Sequence, residues 1–180
     1  MPAPLSIQEF DPLLWVNEYT QPAIPVSADV FAPILQFSLM WNLFERDACV
    51  RDANPTSIEK AVNKAFADGI LSAQPFQEHL TYFRNLANRH GPGLEPYFAA
   101  LKLTNERAKY VVGGVLNGSL NDPNNVVYAL LLIAHRIRNN LFHGEKDVVM
   151  LHTQAELFQV VNSLLATYLS TTAQGARVAA

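Results

Sequence analysis

Apolar residues recur along this chain at three- and four-residue intervals, and the two-residue alternation of half-buried strands is almost absent. The pattern predicts helices. Ser27 is placed to cap a long helix reaching about Asp52, with Phe31, Ile34, Leu35, Met40, Trp41 and Phe44 on its apolar face. Pro33 either kinks that helix or marks its start. Thr56-Ser57-Ile58-Glu59 reads as a capping box that opens a helix to Asp68, stopped by Gly69. Another helix follows Pro75 and ends near His90, before Gly91-Pro92-Gly93. A short one covers Leu94 to Leu103, and Thr104 would cap the next, to about Leu116. Gly113-Gly114 within it reads as a site of close packing, because no strand precedes the pair as a nucleotide loop would require.

Asp122-Pro123 is a strong start signal for a helix to His143, with Gly144 at the position after its end. Val126, Leu130, Ile133, Ile137 and Leu141 form its core-facing stripe. Thr153-Gln154-Ala155-Glu156 reads as a second capping box, for a helix to about Leu169. The expected fold is all-α, an antiparallel bundle of five to six helices over residues 27–170. Residues 1–26 hold Pro2, Pro4, Pro12, Pro22 and Pro25 and read as an irregular arm. One short helix is expected there around 12–18, with Leu13, Leu14 and Trp15 against the body. Residues 171–180 are expected to be a flexible tail.

Composition narrows the class. At 180 residues, 49% of them apolar, the chain is long and greasy enough for one domain with a proper core. Its single cysteine, Cys49, lies in an apolar helical pattern and reads as a small core residue rather than a nucleophile. A reducing, cytoplasmic setting is the default expectation. Met1 to Leu5 lack the basic and apolar regions of a secretory signal, and the longest apolar run, Val126 to Ala134, falls well short of the ~20 residues that span a bilayer. A net charge of −3 argues against a protein that coats nucleic acid broadly, but leaves room for a small basic site. His79 and His152 have no partners at metal-ligand spacing, so neither a metal nor another cofactor is expected.

The chemistry concentrates where the 123–143 helix ends, in Arg138-Asn139-Asn140-Leu141-Phe142-His143-Gly144. An arginine, amides and a histidine can grip and cleave a phosphodiester without a metal. At about 100° per residue, His143 shares a flank with Arg136 and Asn140, while Arg138 starts about 140° away from it. Asn139 and His135 point nearly opposite the core stripe. Arg138 and His143 would therefore meet more readily across a dimer than within one chain. Lys146 adds a positive charge just beyond. A bland reading remains open on the residues alone: basic side chains and glycine are ordinary at helix C-termini, and Arg136 and Arg138 would then be solvated flank residues. Arg84 to His90 repeats the Arg-to-His spacing and reads as a surface helix end.

The segment His135-Arg136-Ile137-Arg138-Asn139-Asn140-Leu141-Phe142-His143-Gly144-Glu145-Lys146 resembles the signature of the HEPN superfamily. That signature is an arginine, a polar residue after it, and a histidine a turn or more later, late in a bundle helix and followed by glycine. Arg138, Asn139 and His143 match it. Phe37 to Glu45 also resembles the first long helix of one prokaryotic branch. The resemblance implies a metal-independent endoribonuclease that cleaves single-stranded RNA by 2′-hydroxyl transesterification, a toxin or defence effector with an antitoxin protein as candidate partner. It implies a homodimer built on the motif-bearing helix. His143 would act as general base or acid, Arg138 would bind the phosphate and stabilise its charge, and Asn139 would orient the phosphate or the imidazole. Arg136, Asn140 and Lys146 would make further substrate contacts. Glu45 would pair with an arginine of the motif, or else be a solvated helix-end acid. Other members of the family are not catalytic, so the alternative is a helical dimer that binds a partner protein or a nucleotide. A plain structural helical protein is the third reading.

Overall fold

The computed structural model describes residues 10–142 and 154–178, apart from the side chains of Phe142 and of residues 174–178. Among the described residues there are eight α-helices, one 3-10 turn and no strand. The helices are α1 (Pro12–Thr20), α2 (Ala28–Ala48), α3 (Pro55–Ala67), α4 (Gln77–Arg89), α5 (Glu95–Leu101), α6 (Glu106–Asn117), α7 (Pro123–Phe142) and α8 (Ala155–Val178). The all-α class stands, but with more helices than the five to six expected. The difference lies in the short pieces, α1 and α5, and in counting every one of them as a separate element.

α7 is the central element. Every side chain from Val126 to Ala134 is apolar, and every one is buried, so this stretch is enclosed on all sides rather than along one stripe. It lies chiefly against α3 and α6, with α4, α5 and α8 closing around it. The other main pairing is α2 on α8. Phe37, Trp41 and Phe44 of α2 pack with Phe158 and Tyr168 of α8, with ring centroids 5.5 Å apart for both Phe37–Phe158 and Phe44–Tyr168. Asn162 of α8 adds a hydrogen bond to the Pro33 carbonyl at 2.9 Å. Pro33 therefore sits inside a continuous α2 rather than at its start.

Local chemistry corrects several boundaries. α2 ends at Ala48, short of Asp52, because Val50 and Arg51 both turn left-handed, with φ of 53° and 68°. α3 is capped by Asn54, not Thr56: the Asn54 side chain accepts from the Thr56 and Ser57 amides, both at 3.0 Å, and the Ser57 hydroxyl accepts from the Asn54 N–H. Glu59, the other half of the expected box, is instead paired with Arg107 at 2.6 Å. α6 is capped by Asn105 rather than Thr104, through the Ala108 amide at 2.9 Å. α8 continues to Val178, so most of the expected tail from residue 171 is helical. The capping position proposed for Thr153 lies outside the described residues.

The glycine pair in α6 does serve close approach. A Cβ on Gly114 would lie 2.6 Å from Leu120 Cγ, and one on Gly113 would lie 3.2 Å from the Phe98 ring. In the arm, Asp11 caps α1, and the Asn17 side chain both accepts from and donates to the Val26 backbone, at 2.7 and 2.9 Å. Leu14 and Trp15 do not lie against the body as expected: both are exposed, and Trp15 stacks on Tyr19 with centroids 4.8 Å apart. Leu35, placed by spacing on the apolar face of α2, is exposed as well. No helix among the described residues is long and apolar enough to cross a membrane.

Candidate functional site

The apolar run of α7 stops at Ala134, and the next two turns carry His135, Arg136, Arg138, Asn139 and Asn140. Ile137 keeps these turns anchored in the core. The polar side chains divide into two groups, one on each side of Ile137.

The first group faces the C-terminal end of α5. Arg136 Nε donates to the Leu101 carbonyl at 3.2 Å, and Asn140 Nδ2 donates to the same oxygen at 3.1 Å. Arg136 Nη2 also donates to Asn140 Oδ1 at 3.4 Å. Asn140 is only 4% exposed. A helix leaves its last carbonyls without intrahelical donors, and these two side chains satisfy one of them from a neighbouring helix. Arg136 and Asn140, expected as substrate contacts, thus hold α5 onto α7. Arg84 does the same for α6, donating to the Val115 carbonyl at 2.8 Å, while His90, at the other end of the segment read as a surface helix end, is exposed where α4 closes.

The second group contains two residues of the motif. Arg138 Nη1 donates to Asn139 Oδ1 at 3.2 Å, and Asn139 Nδ2 lies 3.3 Å from His135 Nε2. The His135 ring packs against Trp41 of α2, centroids 6.0 Å apart. The helical wheel pointed His135 and Asn139 away from the core. In the fold Trp41 of α2 lies against His135, and both His135 and Asn139 are half-buried. Burial, reinforced by the Arg136 and Arg138 charges, pushes the His135 imidazole down to about 4 against the opposing pull of Asp52. It is therefore neutral at pH 7. His135 is the site residue that sequence reasoning passed over. The available signal was its position four residues before Asn139, which places the two side chains on one helix face.

His143, Gly144 and Lys146 lie outside the described residues. Glu45 is half-buried in the last turn of α2, one turn beyond Trp41, where its carbonyl accepts from the Cys49 and Arg51 amides. No salt bridge joins its carboxylate to Arg136 or Arg138 among the described residues. Cys49 is buried, and desolvation pushes its thiol up to about 11, which removes it as a nucleophile at neutral pH. His79 is buried beside Ser163, 3.2 Å from the hydroxyl, and His152 lies outside the described residues.

A small cleft of about 80 Å³ opens on the other side of His135, bounded by Arg136, Leu132, Thr104, Asn105 and Pro55. It is the size of a few water molecules, too small for a nucleotide. A guanidinium and an amide held together at a helix end suit an anionic oxygen better than an apolar ligand. No family model, curated protein or solved structure matches this chain.

Proposed function

We propose that the protein is a HEPN-type endoribonuclease that cleaves single-stranded RNA without a metal ion. The observation that carries the reading is the contact between Arg138 and Asn139 on the last turns of α7, at 3.2 Å, since these are adjacent positions of the family signature. Arg138 holds a non-bridging phosphate oxygen and offsets the charge that builds up on it. His143 takes the proton of the ribose 2′-hydroxyl. The 2′-oxygen bonds to phosphorus, the bond to the 5′-oxygen breaks, and a proton returns to that leaving oxygen. The products are a 2′,3′-cyclic phosphate and a 5′-hydroxyl. The all-helical architecture is then a HEPN variant working in the cytoplasm as a toxin or defence effector. The α7 termini of two subunits complete the site, since the middle of α7 is enclosed within its own chain.

The test is incubation of the purified chain with single-stranded RNA in excess chelator. Cleavage with a cyclic phosphate terminus is expected, lost in His143→Ala and reduced at least about 100-fold in Arg138→Ala. Intact RNA, or equal cleavage by His143→Ala, rules the reading out. Growth arrest on overexpression, relieved by His143→Ala, checks the toxin role.

A second reading has its own support. Leu14, Trp15 and Tyr19 on α1 and Leu35 and Leu39 on α2 are exposed. Their exposure fits a non-catalytic module that binds a partner protein, and this reading predicts a stable complex with no RNA cleavage.

A further inference from the structure

We propose that His135 is the positioning residue of the Arg138/Asn139 pair, accepting a hydrogen bond from the Asn139 amide and thereby holding that amide in place against the guanidinium. The inference rests on the nuclease reading for its functional consequence, and adds to the motif a residue the motif does not contain.

The donor and acceptor types settle the arrangement. A guanidinium only donates, so the edge of Asn139 facing Arg138 must be Oδ1, as the 3.2 Å contact from Nη1 has it. The opposite edge is then Nδ2, which only donates, and it lies 3.3 Å from His135 Nε2. Nε2 must therefore be the bare nitrogen, and the ring proton sits on Nδ1. A doubly protonated ring would set two donors against each other and push the amide to flip. The ring is held neutral by burial and by Arg136 and Arg138 on α7, against Asp52 from the loop between α2 and α3.

The ring is also fixed in place. Trp41, 2% exposed, lies against it, and Trp41 is in turn held between Phe37 and Phe44, at 6.1 and 5.4 Å between centroids. Orientation therefore passes from the α2–α8 core through Trp41, His135 and Asn139 to Arg138. A phosphate-binding guanidinium must be held to within a fraction of an ångström, because a displacement of about 1 Å costs a reaction of this kind on the order of 100-fold. Taking the acceptor away removes the tether on Nδ2 and leaves the Asn139 amide, and the guanidinium it meets, free to shift.

Two measurements on the full chain test this. Long-range proton–nitrogen NMR at pH 7 reads the His135 ring, identified by its loss in His135→Gln. A protonated Nδ1 and bare Nε2 are expected, and a protonated Nε2 overturns the proposal. RNA cleavage is then compared in two variants. His135→Phe keeps the ring packing but offers no acceptor, so kcat should fall by about 100-fold with KM little changed. His135→Gln returns a carbonyl oxygen near the former Nε2 and should recover most of that loss. Full kcat in His135→Phe, or no recovery in the folded Gln variant, defeats it. If the wild-type chain leaves RNA uncut, the nuclease reading falls, and the NMR pattern alone decides whether His135 orients Asn139.

Discussion

His135 carries a free-energy consequence at the scale of the single residue. In the unfolded chain its imidazole titrates at an ordinary value of about 6.5. In the fold, burial first and the two arginines second lower it to about 4. Between those values the unfolded chain binds the extra proton and the folded chain does not, so stability falls as pH drops through the window. The contribution is fully present above about pH 6.5, and about 3 kcal/mol of it is gone by pH 4. His79, also lowered by burial, acts in the same direction. Urea unfolding of wild type and His135→Gln at steps from pH 7 to pH 4.5 isolates the His135 share, since the other groups are common to both. The wild-type curve is expected to fall more steeply, and parallel curves would show that His135 is not buried as a neutral ring. Not all polar residues of α7 act this way. Arg136 and Asn140 place their donors on the Leu101 carbonyl and so take part in the packing of α5.

The helices show which sequence signals survive folding. Asp122-Pro123 and Gly69 mark ends that the fold keeps, because proline at the first helical position and a left-handed glycine after the last turn are local in cause. The start of α3 was misread because two boxes overlap in sequence, Asn54–Ser57 and Thr56–Glu59. Pro55 decides between them: it fits the first helical position, which makes Asn54 the cap and puts Thr56 inside the first turn. Asn54→Ala should therefore lower stability by about 1 kcal/mol, while Thr56→Ala, an exposed position, should leave it nearly unchanged. Thermal unfolding of the two variants ranks them, and the reverse order would restore the Thr56 cap. The wheel for α7 failed for a different reason. It assumed one apolar stripe, but Val126 to Ala134 is apolar throughout, and such a helix is enclosed by whatever surrounds it. The side on which His135 and Asn139 end up depends on where α2 lies, and no periodicity within α7 encodes that.

At the scale of the whole molecule, the question is whether one chain or two make the site. Arg138 and His143 are five residues apart in sequence, a spacing that on an uninterrupted α-helical register would set them about 140° apart around the axis of one chain. A two-fold contact between α7 termini would bring the Arg138 of one subunit toward the His143 of the other, and because such a contact is self-complementary it would form two equal sites. This geometry makes a prediction that single variants cannot. Arg138→Ala and His143→Ala should each be inactive alone. When the two are mixed, unfolded and refolded together, about half of the dimers should be mixed, and each mixed dimer should hold one site with both residues intact and one with neither. Activity should then return to about a quarter of the wild-type value at equal total protein. If both residues come from the same chain, every site in every mixed dimer lacks one of them, and mixing restores nothing. The same experiment on a monomer also restores nothing, and sedimentation separates that case from a dimer with self-contained sites. Recovery near a quarter would place the scissile phosphate between two chains, and with it the Asn139–His135–Trp41 series behind each arginine, one copy reaching into each half of the dimer.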